Sequence, residues 1–131
     1  MDNSQKKVLV VEDDDALRNI LVDTLNTNNY QIYQAPDGEE AIKLIVDQKP
    51  HLILLDLLLP KLDGFKVLDR LRHYPDPEIA ETQVIVLSNL WTDKDILRAQ
   101  ALKIDAYFVK ANTNLSDVFE KIKEIMGKVG K

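Results

Sequence analysis

Apolar residues along this chain fall into two alternating patterns. Short runs rich in β-branched residues and leucine occur at Val8 to Val11, Gln31 to Gln34, Leu52 to Leu55, Val84 to Leu87 and Ala106 to Val109. Runs of that length and composition predict strands. Between them stand Leu17, Ile20, Leu21 and Leu25; Ala41, Leu44 and Ile45; Phe65, Leu68 and Leu71; Ile96, Ala99 and Leu102; and Leu115, Val118, Phe119, Ile122 and Met126. Steps of three and four residues place each of these sets on one helical face. The start signals agree: Asp37 precedes Glu40 and Thr92 precedes Asp95 as capping pairs do, and Asp14 or Asp15 is positioned to cap the first helix. Gly127 is a stop for the last helix, and Tyr74-Pro75-Asp76-Pro77 is expected to be a loop that breaks the third.

Five strands alternating with five helices predict an α/β fold, a five-stranded parallel sheet covered by helices on both faces in a three-layer α/β/α sandwich. Near-continuous apolar runs such as Leu52 to Leu55 are what strands buried on both sides look like. In such sheets ligands bind beyond the carboxyl ends of the strands, where strand order reverses. The strand ends are therefore the place to look for chemistry.

Composition narrows the field. A chain of 131 residues fits one domain, residues 1–131 with a core at about 6–127, and 45% hydrophobic with 30% charged residues is the balance of a folded protein. The lack of Cys excludes disulfides and thiolate metal sites. No segment has the basic start and apolar run of a signal peptide, and no apolar stretch approaches the roughly 18 residues that span a bilayer, so a cytoplasmic location without membrane insertion is expected. A net charge of −5, with Lys and Arg dispersed among acids, argues against direct nucleic-acid binding.

Polar groups gather at the predicted strand ends: Glu12-Asp13-Asp14 after the first, Asp56 after the third, Ser88-Asn89 at the fourth and Lys110 after the fifth. Asp56 follows Leu52-Ile53-Leu54-Leu55, and a carboxylate at the edge of so apolar a run costs several kcal/mol unless something pairs with it. If the first and third strands are neighbours, Glu12, Asp13 and Asp56 converge, and three carboxylates in close range need a counter-charge. A set of oxygen ligands with no His or Cys suits Mg²⁺ and argues against zinc. The Lys110 ammonium and the Ser88 hydroxyl suit phosphoryl oxygens, so the set can activate a carboxylate nucleophile and neutralise an incoming phosphoryl group.

The chain resembles the response-regulator receiver domains of two-component signalling, which have a flavodoxin-like doubly wound fold. The matching pieces are Val10-Val11-Glu12-Asp13, Asp56-Leu57-Leu58-Leu59-Pro60-Lys61-Leu62-Asp63-Gly64, the Ser88 that ends Val84-Ile85-Val86-Leu87, and Tyr107-Phe108-Val109-Lys110. The resemblance implies a phosphorylation switch in which Asp56 is the phosphoacceptor. By the same resemblance Asp13 and Asp56 contact Mg²⁺ directly, Glu12 acts through water and the Leu58 carbonyl is a further ligand. Ser88, Asn89, Tyr107 and Lys110 then surround the phosphoryl group and carry the switch. The implied partners are a sensor histidine kinase or phosphotransfer protein, a downstream effector or output domain, and a phosphorylation-dependent dimer. The implied activity is not that of an enzyme beyond its own phosphorylation and dephosphorylation.

Three features depart from the family pattern. Ala111 follows Lys110 where proline is usual, and a trans bond is expected there because a cis bond without proline costs about 3 kcal/mol. Asn89 stands where a small residue is usual and narrows access to the site. Leu58 and Leu90 flank the site and give nothing to orient an attacking water, so a long-lived phosphoaspartate is expected. Two other classes stay open at this stage. A Mg²⁺-dependent phosphohydrolase with an aspartyl-phosphate intermediate would carry an acid where Leu58 stands, and a pseudo-receiver would bind partners without phosphorylation. Trp91 reads either as an interface anchor or as loop packing, and His51 and His73 as ordinary residues.

Overall fold

The computed structural model describes residues 6–129. Its strands are β1 (Lys7–Val11), β2 (Gln31–Ala35), β3 (Leu52–Leu55), β4 (Gln83–Ser88) and β5 (Ala106–Val109). The helices are α1 (Asp15–Asn26), α2 (Gly38–Gln48), α3 (Gly64–Arg72), α4 (Pro77–Ala80), α5 (Asp93–Ala101) and α6 (Leu115–Met126), with a 3₁₀ turn at Lys110–Asn112. All neighbouring strands are parallel and the order is β2-β1-β3-β4-β5, so the predicted sheet forms and β1 lies beside β3. Val11 is level with Leu55, which sets Glu12 and Asp56 side by side just past the strand ends.

The alternation of side chains along each strand splits the core in two. On one face Leu9, Val11, Ile53, Leu55, Val84 and Val86 pack with Ala41 and Ile45 of α2, Phe65, Leu68 and Leu71 of α3 and Ala99 of α5. On the other, Val8, Val10, Leu52, Leu54, Ile85 and Leu87 pack with Leu21 and Leu25 of α1 and Val118, Ile122 and Met126 of α6. Every central-strand residue in these sets is buried, which is why β1, β3 and β4 read as unbroken apolar runs.

The capping expectations hold in detail. Asp37 Oδ1 accepts the Glu40 N–H at 2.8 Å, Thr92 Oγ1 accepts that of Asp95 at 3.2 Å, and of the two candidates for α1 it is Asp14 that caps, accepting the Leu17 N–H at 3.2 Å. Gly127 does follow α6 but with φ −65°, so the helix ends without a left-handed residue. The expected loop does end α3 and runs from Tyr74 to Asp76, but Pro77 is not part of it: after Asp76 the chain makes the short helix α4, with Pro77 in its first turn and Asp76 accepting the Glu78 N–H at 3.0 Å.

The loop from Leu57 to Asp63 leaves β3 and docks on the amino end of α2. Gly38 donates to the Pro60 carbonyl at 3.4 Å and Lys61, with φ 66°, reaches the Asp37 carboxylate at 3.5 Å. Close approach explains the glycine: a Cβ on Gly38 would stand 1.8 Å from the Leu62 carbonyl oxygen. At the other end of this loop Gly64 donates to the Leu57 carbonyl at 2.9 Å, so the segment that follows Asp56 is held at both ends.

Candidate functional site

Glu12, Asp13 and Asp56 meet at the carboxyl ends of β1 and β3, and one carboxylate oxygen from each lies within 4.8 Å of the others. Glu12 and Asp56 are only 2% and 3% exposed, whereas Asp13 faces solvent. Their backbones are continuous with the sheet: the Glu12 N–H donates to the Ala35 carbonyl of β2 at 3.0 Å, and the Asp56 N–H to the Val11 carbonyl of β1 at 3.0 Å.

Lys110 enters from the end of β5. Its Nζ lies 2.7 Å from Glu12 Oε1 and 2.8 Å from Asp56 Oδ2. Of the other two oxygens, Glu12 Oε2 accepts the Asp14 N–H and Asp56 Oδ1 the Leu58 N–H, each at 3.0 Å. Burial pushes the Glu12 carboxyl above its ordinary value, against the lowering effect of Lys110 and the Asp14 amide. Burial by itself would lower Lys110, but hydrogen bonds to Asp56 and Glu12 and their charges outweigh it and hold the ammonium above its ordinary value. The peptide bond between Lys110 and Ala111 is trans, as are all others among the described residues.

One ammonium against three carboxylates leaves the cluster short of positive charge. All three acids offer hard oxygen ligands, with Asp13 open to solvent, and that donor set fits a divalent cation that retains water ligands.

Ser88, Asn89 and Tyr107 form a neighbouring group around the loop from β4 to α5. Ser88 is fully buried and its Oγ accepts the Leu90 N–H at 3.3 Å, while the Tyr107 hydroxyl donates to the Leu90 carbonyl at 2.7 Å. Leu90 thus joins the two side chains, Ser88 through its N–H and Tyr107 through its carbonyl. Asn89 is exposed. Trp91 is 68% exposed, which favours a surface role over loop packing. His51 accepts the Lys7 N–H at 2.9 Å and His73 contacts the Asp69 carbonyl, both apart from the acids.

The Tyr107 phenol is pushed up to about 12 by burial, with the charges of Asp95 and Asp56 adding to it. A raised value in the folded state means that the contribution to stability is complete below the ordinary value of 10 and is lost as pH rises through about 12. The stability gap between wild type and Tyr107→Phe, from urea denaturation, is therefore expected to shrink steadily above pH 10. A constant gap would contradict the assignment.

Two arginines make main-chain contacts that no sequence motif announces. Arg18 on α1 donates to the Glu12 carbonyl at 2.8 Å. Arg72, at the end of α3, donates to the carbonyls of Ala80, Thr82, Leu102 and Lys103 at 2.6 to 2.9 Å. These bonds tie α3 to the starts of β4 and β5 beside a groove of about 690 Å³, well away from the acids.

Comparison with known proteins agrees with this geometry. The response regulator receiver domain family matches residues 8–123, and the chain belongs to that family. A probable transcriptional regulator, ycf27, of Cyanophora paradoxa is 36% identical over 110 residues, which cover 84% of this chain and 44% of the relative. The chain thus spans under half the length of the curated relatives it matches. Among solved structures, the phosphorylated cyanobacterial phytochrome response regulator RcpA is 31% identical with a TM-score of 0.80, covering 96% of each chain. The Mn²⁺-bound form of the response regulator Rcp1 is 30% identical with a TM-score of 0.77, covering 94% of this chain and 93% of that one. Receiver domains are signalling switches. Among the described residues no helix is long and apolar enough to cross a membrane.

Proposed function

We propose that this chain is a phosphorylation switch whose acceptor is Asp56, loaded by a sensor histidine kinase or phosphotransfer protein and read by a downstream effector or output domain. The observation that carries this is the buried Asp56 carboxylate, paired with Lys110 and set beside Glu12 and Asp13 at the mouth of the sheet. In the reaction an Asp56 oxygen attacks phosphorus. The new O–P bond forms as the P–N bond of a phosphohistidine breaks, and the electron pair leaves on the imidazole nitrogen, which takes up a proton.

Asp13, Asp56 and the Leu58 carbonyl, with Glu12 acting through water, would hold Mg²⁺, which would neutralise charge on the phosphoryl oxygens. Lys110 already bridges Glu12 and Asp56 and offers its ammonium to the same oxygens. Ser88 can donate its hydroxyl to the phosphoryl group, and Asn89 borders the entrance. A shift of Ser88 would disturb its bond to the Leu90 amide, and Leu90 in turn holds the Tyr107 hydroxyl, so the contact chain leads from the site to the face of α5, β5 and α6. That face, with the exposed Trp91 near it, is the surface read by partners and the one suited to a phosphorylation-dependent dimer.

The whole chain acts as one receiver unit in the cytoplasm, without direct contact to nucleic acid, and catalyses only its own phosphorylation and dephosphorylation. Incubation with a small acyl phosphate is expected to add one phosphoryl group with Mg²⁺ present and none with a chelator. The product is expected to outlast the measurement, because Leu58, 50% exposed, and Leu90 are both apolar and orient no water. Turnover of many donor molecules per protein would point instead to a phosphohydrolase.

A further inference from the structure

Arg18 stands in the second turn of the helix that follows the acidic turn, with a side chain only 15% exposed. Its guanidinium is committed in three directions: Nη1 to the Glu12 carbonyl at 2.8 Å, Nε to Gln34 Oε1 on β2 at 3.3 Å, and Nη2 to the Asp15 carboxylate. The other side of the Glu12 peptide linkage to the sheet is fixed as well, since the Glu12 N–H donates to Ala35 on β2. Glu12 Oε2 then accepts the Asp14 N–H, and Asp14 caps α1. Asp13 lies in the middle of this short turn. Because it is exposed and, among the described residues, no hydrogen bond orients its carboxylate, the backbone of the turn sets its direction.

We propose that Arg18 is a positioning residue for the divalent-cation site, acting through the Glu12 carbonyl to hold the Glu12 and Asp13 side chains toward Asp56. This rests on the assignment of Glu12, Asp13 and Asp56 as cation ligands. A planar guanidinium reaches all three of its partners at once, which a lysine ammonium on a flexible stem does not reproduce. Groups that orient metal ligands without touching the metal typically govern affinity by about tenfold or more.

Three roles for Arg18 predict different signs. If its charge merely offset the nearby acids, removing it would tighten cation binding, because the net negative charge would grow. If it only stapled α1 to the sheet, folding stability would fall while the affinity of the folded protein stayed unchanged. If it positions the turn, affinity falls despite the gain in negative charge.

The test is calorimetric titration with Mn²⁺ of the wild type and of Arg18→Met, Arg18→Lys, Gln34→Ala and Asp13→Asn, with folding checked by circular dichroism. Arg18→Met is expected to bind about tenfold more weakly than wild type. Arg18→Lys should also weaken binding although it keeps the charge, Gln34→Ala should weaken it less and in the same direction, and Asp13→Asn should bind most weakly. Unchanged or tighter binding in Arg18→Met and Arg18→Lys would overturn the role of Arg18 while leaving the cation site intact. Should Arg18→Met not fold, Arg18→Lys and Gln34→Ala decide, and wild-type affinity in both overturns the role. Absence of Mn²⁺ binding by the wild type, or wild-type affinity in Asp13→Asn, would instead remove the cation assignment and this inference with it.

Discussion

Replacing Lys110 by methionine is expected to destabilise the protein by roughly 3 kcal/mol in the presence of a chelator. The ammonium lies between two carboxylates that are 2% and 4% exposed, and methionine keeps most of the stem while leaving both charges without their counter-ion. Mg²⁺ should then restore part of the loss, because a cation bound by Glu12, Asp13 and Asp56 supplies the missing charge. The stabilisation conferred by Mg²⁺, read from urea midpoints with and without the ion, is therefore expected to be larger in Lys110→Met than in wild type. Equal Mg²⁺ stabilisation in the two proteins would show that Lys110 and the cation do not share the same carboxylates.

Gly38→Ala is expected to cost about 3 kcal/mol although it adds a single methyl group. The added carbon would meet the Leu62 carbonyl oxygen at 1.8 Å and the Leu62 carbonyl carbon at 2.6 Å, both main-chain atoms that move only with the whole loop. That loop carries Leu58, whose amide holds Asp56 Oδ1, so the variant should also bind cations more weakly. Urea denaturation with an unchanged slope and a much lower midpoint is the expected result. A stability within a few tenths of a kcal/mol of wild type would mean that the loop is not docked on α2.

The sheet and the acid cluster were legible because both are written in local pattern. Strands covered on two faces need unbroken apolar runs, and Val8 to Val11 and Leu52 to Leu55 have them. Once β1 lies beside β3, the convergence of Glu12 and Asp56 follows from where those runs stop. Asp37, Thr92 and Asp14 were readable as caps because a cap and its amide are three residues apart. α4 was not, since a four-residue helix has no apolar period, although Asp76 before Pro77 carried the start signal. Gly127 shows the limit of a residue-type rule, ending a helix without using the freedom that makes glycine common there.

The supports of the site were the least legible part. Arg18 reaches the Glu12 carbonyl, and Arg72, away from the acids, reaches four others; every residue carries such a group, so the pairing of side-chain types does not reveal these bonds. The contact of Gly38 with Leu62 depends on how a loop returns to a helix formed earlier in the chain. Leu90 joins Ser88 to Tyr107 through its main chain alone, and its leucine side chain gave no hint of that role. In each case the information lies in three-dimensional backbone placement rather than in residue spacing.

Acceptance of a phosphoryl group by Asp56 is tested most directly by the intact mass of wild type and Asp56→Asn after incubation with Mg²⁺ and a small acyl phosphate. Asparagine preserves the shape of the side chain and removes the nucleophilic charge. Wild type is expected to gain one phosphoryl group and Asp56→Asn none; equal gain by the two proteins, or no gain by wild type, would contradict the assignment of Asp56 as acceptor.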